Sequence, residues 1–261
     1  MIRSRSLRLA VVLAMLPIVL IGFGPWIAGR LGTERAWEPS FAGPDRLVTN
    51  EVAHRAPNDP DSHVSPDWDV TSGSLFARGG AGWTGRPDAA SPDASSSDGT
   101  GSSVFRMNSR RRDFRDVAVS LEVRNLGLTN AGRHPAQDLD GVHLFLRWQS
   151  QYHFYAVSLN RRDDTIVIKK KLPGGPVNGG EYETLGKVAY RVPRDVWQSF
   201  EVRIDNAEPD AVVISVAAGV TPVLTVVDNG PHGPVIDVAG AVGLRGDNCE
   251  FEFRQFRVQP A

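Results

Sequence analysis

Residues 141–171 read GVHLFLRWQSQYHFYAVSLNRRDDTIVIKKK, and their polarity alternates with a period of two. Val142, Leu144, Leu146 and Trp148 fall on one face, while His143, Phe145, Arg147 and Gln149 fall on the other. Tyr155, Val157 and Leu159 oppose Ser158 and Asn160; Ile166, Ile168 and Leu172 oppose Val167, Lys169 and Lys171. Successive side chains of a strand point to opposite sides, so the stretch predicts three half-buried β-strands joined by turns.

The same alternation recurs on either side. It runs through DVAVSLEVR (116–124), SFEVRID (199–205), AVVISVA (211–217), PVLTVVD (222–228) and CEFEF (249–253), where Phe251 and Phe253 oppose Glu250 and Glu252. Turn-forming clusters separate the runs: Arg162-Asp163-Asp164, Pro173-Gly174-Gly175 and Asp228-Asn229-Gly230. Helical periodicity is scarce. Many short strands punctuated in this way predict an all-β fold, an antiparallel two-sheet sandwich, in one domain over residues 47–258.

Composition narrows the function classes. A chain of 261 residues, 41% hydrophobic and 23% charged, is long enough to bury a substantial core. Its 29 basic and 30 acidic residues give a net charge of -1, with no excess to draw the chain to nucleic acid. The single cysteine, Cys249, excludes an intrachain disulfide and a multi-cysteine metal site, and it reads as a small buried hydrophobe beside Phe251.

At the amino terminus, the apolar run Leu9–Ala28 follows Arg3, Arg5 and Arg8, the pattern of an export signal. Residues 1–28 are expected to form a signal peptide or a signal-anchor helix ahead of the sandwich. The remainder would then be extracytoplasmic, membrane-anchored or secreted. No small-x-small cleavage site follows the run, which favours the anchor, although Pro17, Gly22 and Gly24 weaken a permanent helix. Residues 29–46 read as a tether. The stretch 85–102, GRPDAASPDASSSDGTGS, reads as an exposed loop.

The order of segments carries a resemblance. DGVHLFLRWQSQYHFYAVSLNRRDDTIVIKKK, then VWQSFEVRID, a strand ending in VVDNG and finally AGAVGLRGDNCEFEFRQFRV resemble the concanavalin A-like lectin/glucanase superfamily, including its laminin G-like members. The segments PDWDVTSGSLFARGG, WTG and GLRGDN look closest to uncharacterised exported domains of actinobacteria. The resemblance implies a jelly roll that holds carbohydrate on its concave sheet or rim loops. It covers lectins, noncatalytic sugar-binding modules, glycoside hydrolases, polysaccharide lyases and adhesion domains, so it does not fix an activity.

The expectation is therefore a noncatalytic module for carbohydrate or cell-envelope glycan. A hydrolase or lyase on the same fold, and a structural or protein-binding adhesion domain, stand as alternatives. His143 and Arg147 on one strand, Ser158 and Asn160 on the next, and Lys169 and Lys171 on a third form a polar, cationic strip suited to sugar hydroxyls and carboxylates. Trp83 and Tyr182, bracketed by glycines, are the rings placed to stack on a sugar, whereas Trp148 and Trp197 read as core. A Tyr or His beside cations is also the equipment of a lyase. The Glu-x-Asp-x-x-Glu string of laminarinase-like relatives is missing. The nearest pair, Glu250 and Glu252, reads as solvated acids neutralised by Arg245 and Arg254. No cofactor is expected. The structural calcium of many superfamily members has only Asp247 and Asn248, or Asp138 and Asp140, as candidate ligands, because Arg254 stands where an acid is usual.

Overall fold

The computed structural model describes residues 36–85, 104–130, 135–177, 179–208 and 210–261. The apolar run at 1–28 and nearly all of the 85–102 stretch lie outside the described residues. Among those described, no helix is long and apolar enough to cross a membrane.

The chain forms β1 (Arg46–Asn50), α1 (Glu51–Arg55), β2 (Trp68–Ser72), β3 (Ser74–Arg78), β4 (Ala81–Trp83) and β5 (Val104–Ser109). These are followed by β6 (Val117–Leu128), β7 (Gly141–Ser150), β8 (His153–Arg161), β9 (Thr165–Val177) and β10 (Gly180–Ala189). The last strands are β11 (Gln198–Glu208), β12 (Ala211–Ala218), β13 (Thr221–Asp228), β14 (Ala241–Asp247) and β15 (Cys249–Pro260). An eight-stranded sheet in the order β1-β3-β4-β15-β6-β11-β12-β13 packs against a seven-stranded sheet in the order β10-β9-β8-β7-β14-β5-β2. Neighbouring strands are antiparallel, as the alternating pattern predicts. One of the expected turns is displaced: Pro173-Gly174-Gly175 lies within β9, which continues to Val177 before the chain reverses into β10.

The core lies between the sheets and is filled by the inward residues of each strand, among them Val119, Leu121, Leu144, Val157, Ile168 and Phe251. Part of the stretch read as a tether belongs to it. Trp37 exchanges two 2.8 Å backbone hydrogen bonds with Val258, and its ring meets Trp68 at 4.8 Å. Cys249 is buried as expected, and burial pushes its thiol well above the ordinary value.

Two bulges in the seven-stranded sheet override strict alternation. Arg147 in β7 has φ +47, and the β7–β8 register shifts between Leu146 and Ser150. Leu146 and Arg147 both face inward, and Trp148 is turned outward. In β8 the register steps from Ser158 opposite His143 to Asn160 opposite Val142, so Leu159 and Asn160 both face inward. Gly141 is required at this second bulge, because a Cβ there would lie 1.7 Å from the Asn160 carbonyl oxygen.

Two cations are buried between the sheets with full sets of partners. Lys170 Nζ lies 2.9 Å from Asp228 Oδ2 and donates to the Gly233 and Pro234 carbonyls. The Tyr155 hydroxyl donates to the same carboxylate at 2.6 Å. The Arg147 guanidinium donates to the Arg115 and Ile236 carbonyls, Asn206 Oδ1 and Asp116 Oδ1. Breaking a buried pair strands the remaining charge, so Lys170→Met is expected to lower the unfolding free energy by about 3–5 kcal/mol in urea titration. The double variant Lys170→Met/Asp228→Asn should recover much of that loss, since the amide oxygen still accepts from Tyr155.

Candidate functional site

Alternation in the seven-stranded sheet also determines what its outer face presents. Strands β7 and β8 turn out His143 and Phe145, and Phe154, Ala156 and Ser158; β9 turns out Lys169 and Lys171. Tyr182 comes from β10, Arg245 and Asp247 from β14, and Arg106 from β5. Together with Trp148, these side chains line a cavity of about 510 Å³. Phe145, Phe154 and Ala156 form an apolar floor separate from the main core, with Trp148 and Tyr182 packed against it. The Phe145 and Phe154 rings are 4.6 Å apart, and Phe154 meets Tyr182 edge-on at 6.1 Å.

Five residues expected at a ligand site therefore meet in one groove: His143, Ser158, Lys169, Lys171 and Tyr182. Three do not. Arg147 is turned into the interior by the β7 bulge, where every guanidinium nitrogen serves a structural bond. Asn160 is turned inward by the β8 bulge and accepts from Asn125 across the sandwich at 3.1 Å. Trp83 sits in the other sheet, covered by Arg78 at 3.7 Å and donating to Glu250.

The two tryptophans read as core also differ. Trp148 lines the groove, and Trp197 is half-buried on the eight-stranded sheet beneath Arg254 at 4.3 Å. Arg106 and Arg245 were missed, although VFRMN and GLRGD carry the alternation that would have placed them, because neither segment lies in the basic strip of 141–171.

The electrostatics centre on His143. Its Nδ1 lies 2.8 Å from Ser158 Oγ and its Nε2 3.3 Å from Asp247 Oδ2, too poorly aligned for a hydrogen bond. Burial pushes the imidazole below its ordinary pKa and outweighs Asp247, while Arg245 and Lys169 push the same way. Hence His143 is neutral near pH 7. Burial alone would raise the Asp247 carboxyl, but the charge of Arg245 and the contact with His143 hold it well below the carboxylate range. Arg245 grips it from Nε at 2.7 Å. Burial raises the pKa of the Tyr182 hydroxyl, which therefore stays protonated.

Retaining glycosidases place two carboxyl groups about 5–5.5 Å apart. Among the described residues, Asp247 is the one acid lining this cavity, and Arg245 occupies it. Glu250 and Glu252 lie on the other sheet. Glu252 is buried between Arg78 and Arg124, not between the arginines expected from sequence, and Arg254 pairs instead with Glu122. The candidate calcium ligands are engaged with one another and with arginine. Asn248 Nδ2 donates to Asp140 at 2.9 Å, Asp247 carries the positive charge of Arg245, and no cluster of three metal-ligating side chains occurs among the described residues.

No family model matches the chain, and no curated protein matches it. Among solved structures, the carbohydrate recognition domain of Emp46p superposes with a TM-score of 0.53 at 7% identity, covering 82% of this chain and 96% of that one. Its potassium-bound form gives 0.52 at 8% identity, covering 74% and 88%. A carbohydrate-binding module from Bacillus subtilis, CBM66, gives 0.48 at 12% identity, covering 73% and 94%. At these identities the Emp46p likeness shows the fold alone, a β-sandwich as the alternating strand pattern predicts.

His143 provides a test of the groove's electrostatics. Its pKa is lower in the folded chain than in the unfolded chain, so the stability contributed by the neutral ring is present above about pH 6.5 and is lost as the pH falls below that value. His143→Gln removes this loss. In urea titrations, the stability difference between the native chain and His143→Gln should be constant above about pH 7 and should shift in favour of the variant towards pH 5.

Proposed function

We propose that this protein is a noncatalytic carbohydrate-binding module and that the groove on the outer face of the seven-stranded sheet is its ligand site. The carrying observation is the aromatic floor within a cavity of about 510 Å³, a size within the ordinary range for small-ligand sites. Sugar rings present apolar C–H faces edged by hydroxyls. Tyr182, Trp148 and Phe154 supply ring faces and edges, and Lys169, Lys171 and His143 supply polar contacts around them. Trp148 Nε1 is buried without a hydrogen-bond partner among the described residues, which leaves one donor on the lining unspent.

The binding reading is favoured over hydrolysis by the acid count, since a lone carboxylate held by an arginine serves neither as nucleophile nor as proton donor. The basic, apolar amino terminus supports placing the module outside the cytoplasm, membrane-tethered or secreted, within reach of envelope glycan.

The full chain is expected to bind particular oligosaccharides on a glycan array without releasing reducing or unsaturated ends. Tyr182→Ala should weaken calorimetric binding of the selected glycan about tenfold, roughly 1.4 kcal/mol. Trp83→Ala should leave it unchanged. Turnover of the bound glycan would move the protein to the enzymes of this fold, and loss of binding in Trp83→Ala would move the site to the opposite sheet.

A further inference from the structure

Among the described residues lining the groove, four are cations, Arg106, Lys169, Lys171 and Arg245, and one is a carboxylate, Asp247. Only Arg245 is neutralised by it. Arg106, Lys169 and Lys171 have no carboxylate partner among the described residues; Lys171 Nζ donates to the Gln151 carbonyl and stands 4.8 Å from the Tyr182 ring centre.

These charges converge from different strands. The β9 lysines and the β14 arginine are separated by three strand spacings, roughly 14 Å of backbone at about 4.8 Å each. Their side chains nevertheless feel one another. Burial first, then Arg245 and Arg106, depress the Lys171 ammonium. Burial and then Arg245 depress Arg106. Burial, Arg161, Lys187 and Arg245 depress Lys169, with Asp163 opposing them. Like charges drawn together over an apolar floor cost stability in the empty protein, and that cost is recovered only when an anion sits among them.

Resting on the carbohydrate reading above, we infer that the groove's ligand is an acidic saccharide, one whose rings carry carboxylate or sulfate groups, with Lys169 and Lys171 on one flank and Arg106 on the other as its anion contacts. A neutral sugar would leave the repulsion in place. An acidic sugar relieves it while stacking on Phe154 and Tyr182, so charge and ring face are read together. Guanidinium and ammonium groups both accept either anion. Carboxylate and sulfate are therefore separated by experiment.

The full chain is titrated calorimetrically with polygalacturonate, dextran sulfate, unmodified dextran and polyglutamate, at about 50 and about 300 mM NaCl. The inference expects polygalacturonate or dextran sulfate to bind at least tenfold more tightly than dextran, with the margin shrinking at the higher salt; the tighter of the two names the anion. Lys169→Met/Lys171→Met should erase that margin while the thermal midpoint holds or rises, because removing mutually repelling charges relieves the empty groove. A structural role for the lysines would lower the midpoint instead and overturn the assignment. Dextran bound as tightly as the acidic glucans and galacturonans would overturn the anion inference and leave the carbohydrate reading intact. Polyglutamate bound as tightly as the acidic saccharides would overturn the carbohydrate reading, since charge alone would then suffice. Binding of none of the four would overturn the inference, while the carbohydrate reading is decided by the array.

Discussion

The site depends on how β9 is seated. Its three consecutive lysines have to divide between two faces, and the strand's period of two sends one side chain one way and its neighbours the other. Lys170 goes inward and survives there because Asp228, held by the Tyr155 hydroxyl and the Gly230 amide, waits opposite in the other sheet. A slip of one residue would bury both Lys169 and Lys171, of which only one could take the place opposite Asp228, and would expose Lys170. The buried pair therefore excludes that register at a cost of several kcal/mol, and the same choice places two ammonium groups on the groove.

A second buried cation does related work at the neighbouring edge. Arg147 and Tyr155 both bond to Ile236, and Lys170 bonds to Gly233 and Pro234, so the segment between β13 and β14 is fixed from beneath by three polar side chains. Arg147 reaches its partners only through a bulge with a left-handed residue, a strained conformation costing of order 1–3 kcal/mol that its four hydrogen bonds offset. The bulge also aims Trp148 outward. A structural requirement of the interior thus contributes an aromatic ring to the groove.

The groove combines two properties that usually oppose each other. Its floor is apolar and aromatic, yet its rim concentrates positive charge that burial makes costly. Asp247 moderates this locally by pairing with Arg245 and lying against His143, which keeps that corner near neutrality, while the lysine flank is left unbalanced. The groove thus sets ring faces beside unpaired positive charge, and among the described residues the one acid on its lining is engaged by Arg245.

Much of the fold was legible because alternation is local: Val142, Leu144 and Leu146 announce a strand whatever surrounds them, and each paired run of 141–171 became a strand of one sheet. The outward positions of His143, Ser158, Lys169 and Lys171 followed from the same count. Arg147, Asn160 and Trp148 could not be assigned by counting, since a bulge inserts one residue and inverts every assignment beyond it, and nothing in LFLRWQ or SLNRR marks where the insertion falls. Trp83 and the arginines Arg106 and Arg245 belong to segments remote in sequence, and which sheet each joins is decided by pairing across many residues. By itself, then, the sequence determined the two-sheet class, the strands within 116–124, 141–172, 199–228 and 249–253 and their inward faces up to the bulges, all of which rest on nearest-neighbour geometry, whereas β1–β4 and β10 carried no comparable signal. Only tertiary structure decided which charges are buried, which converge and which ring is exposed, because those outcomes depend on partners that chain order does not place side by side.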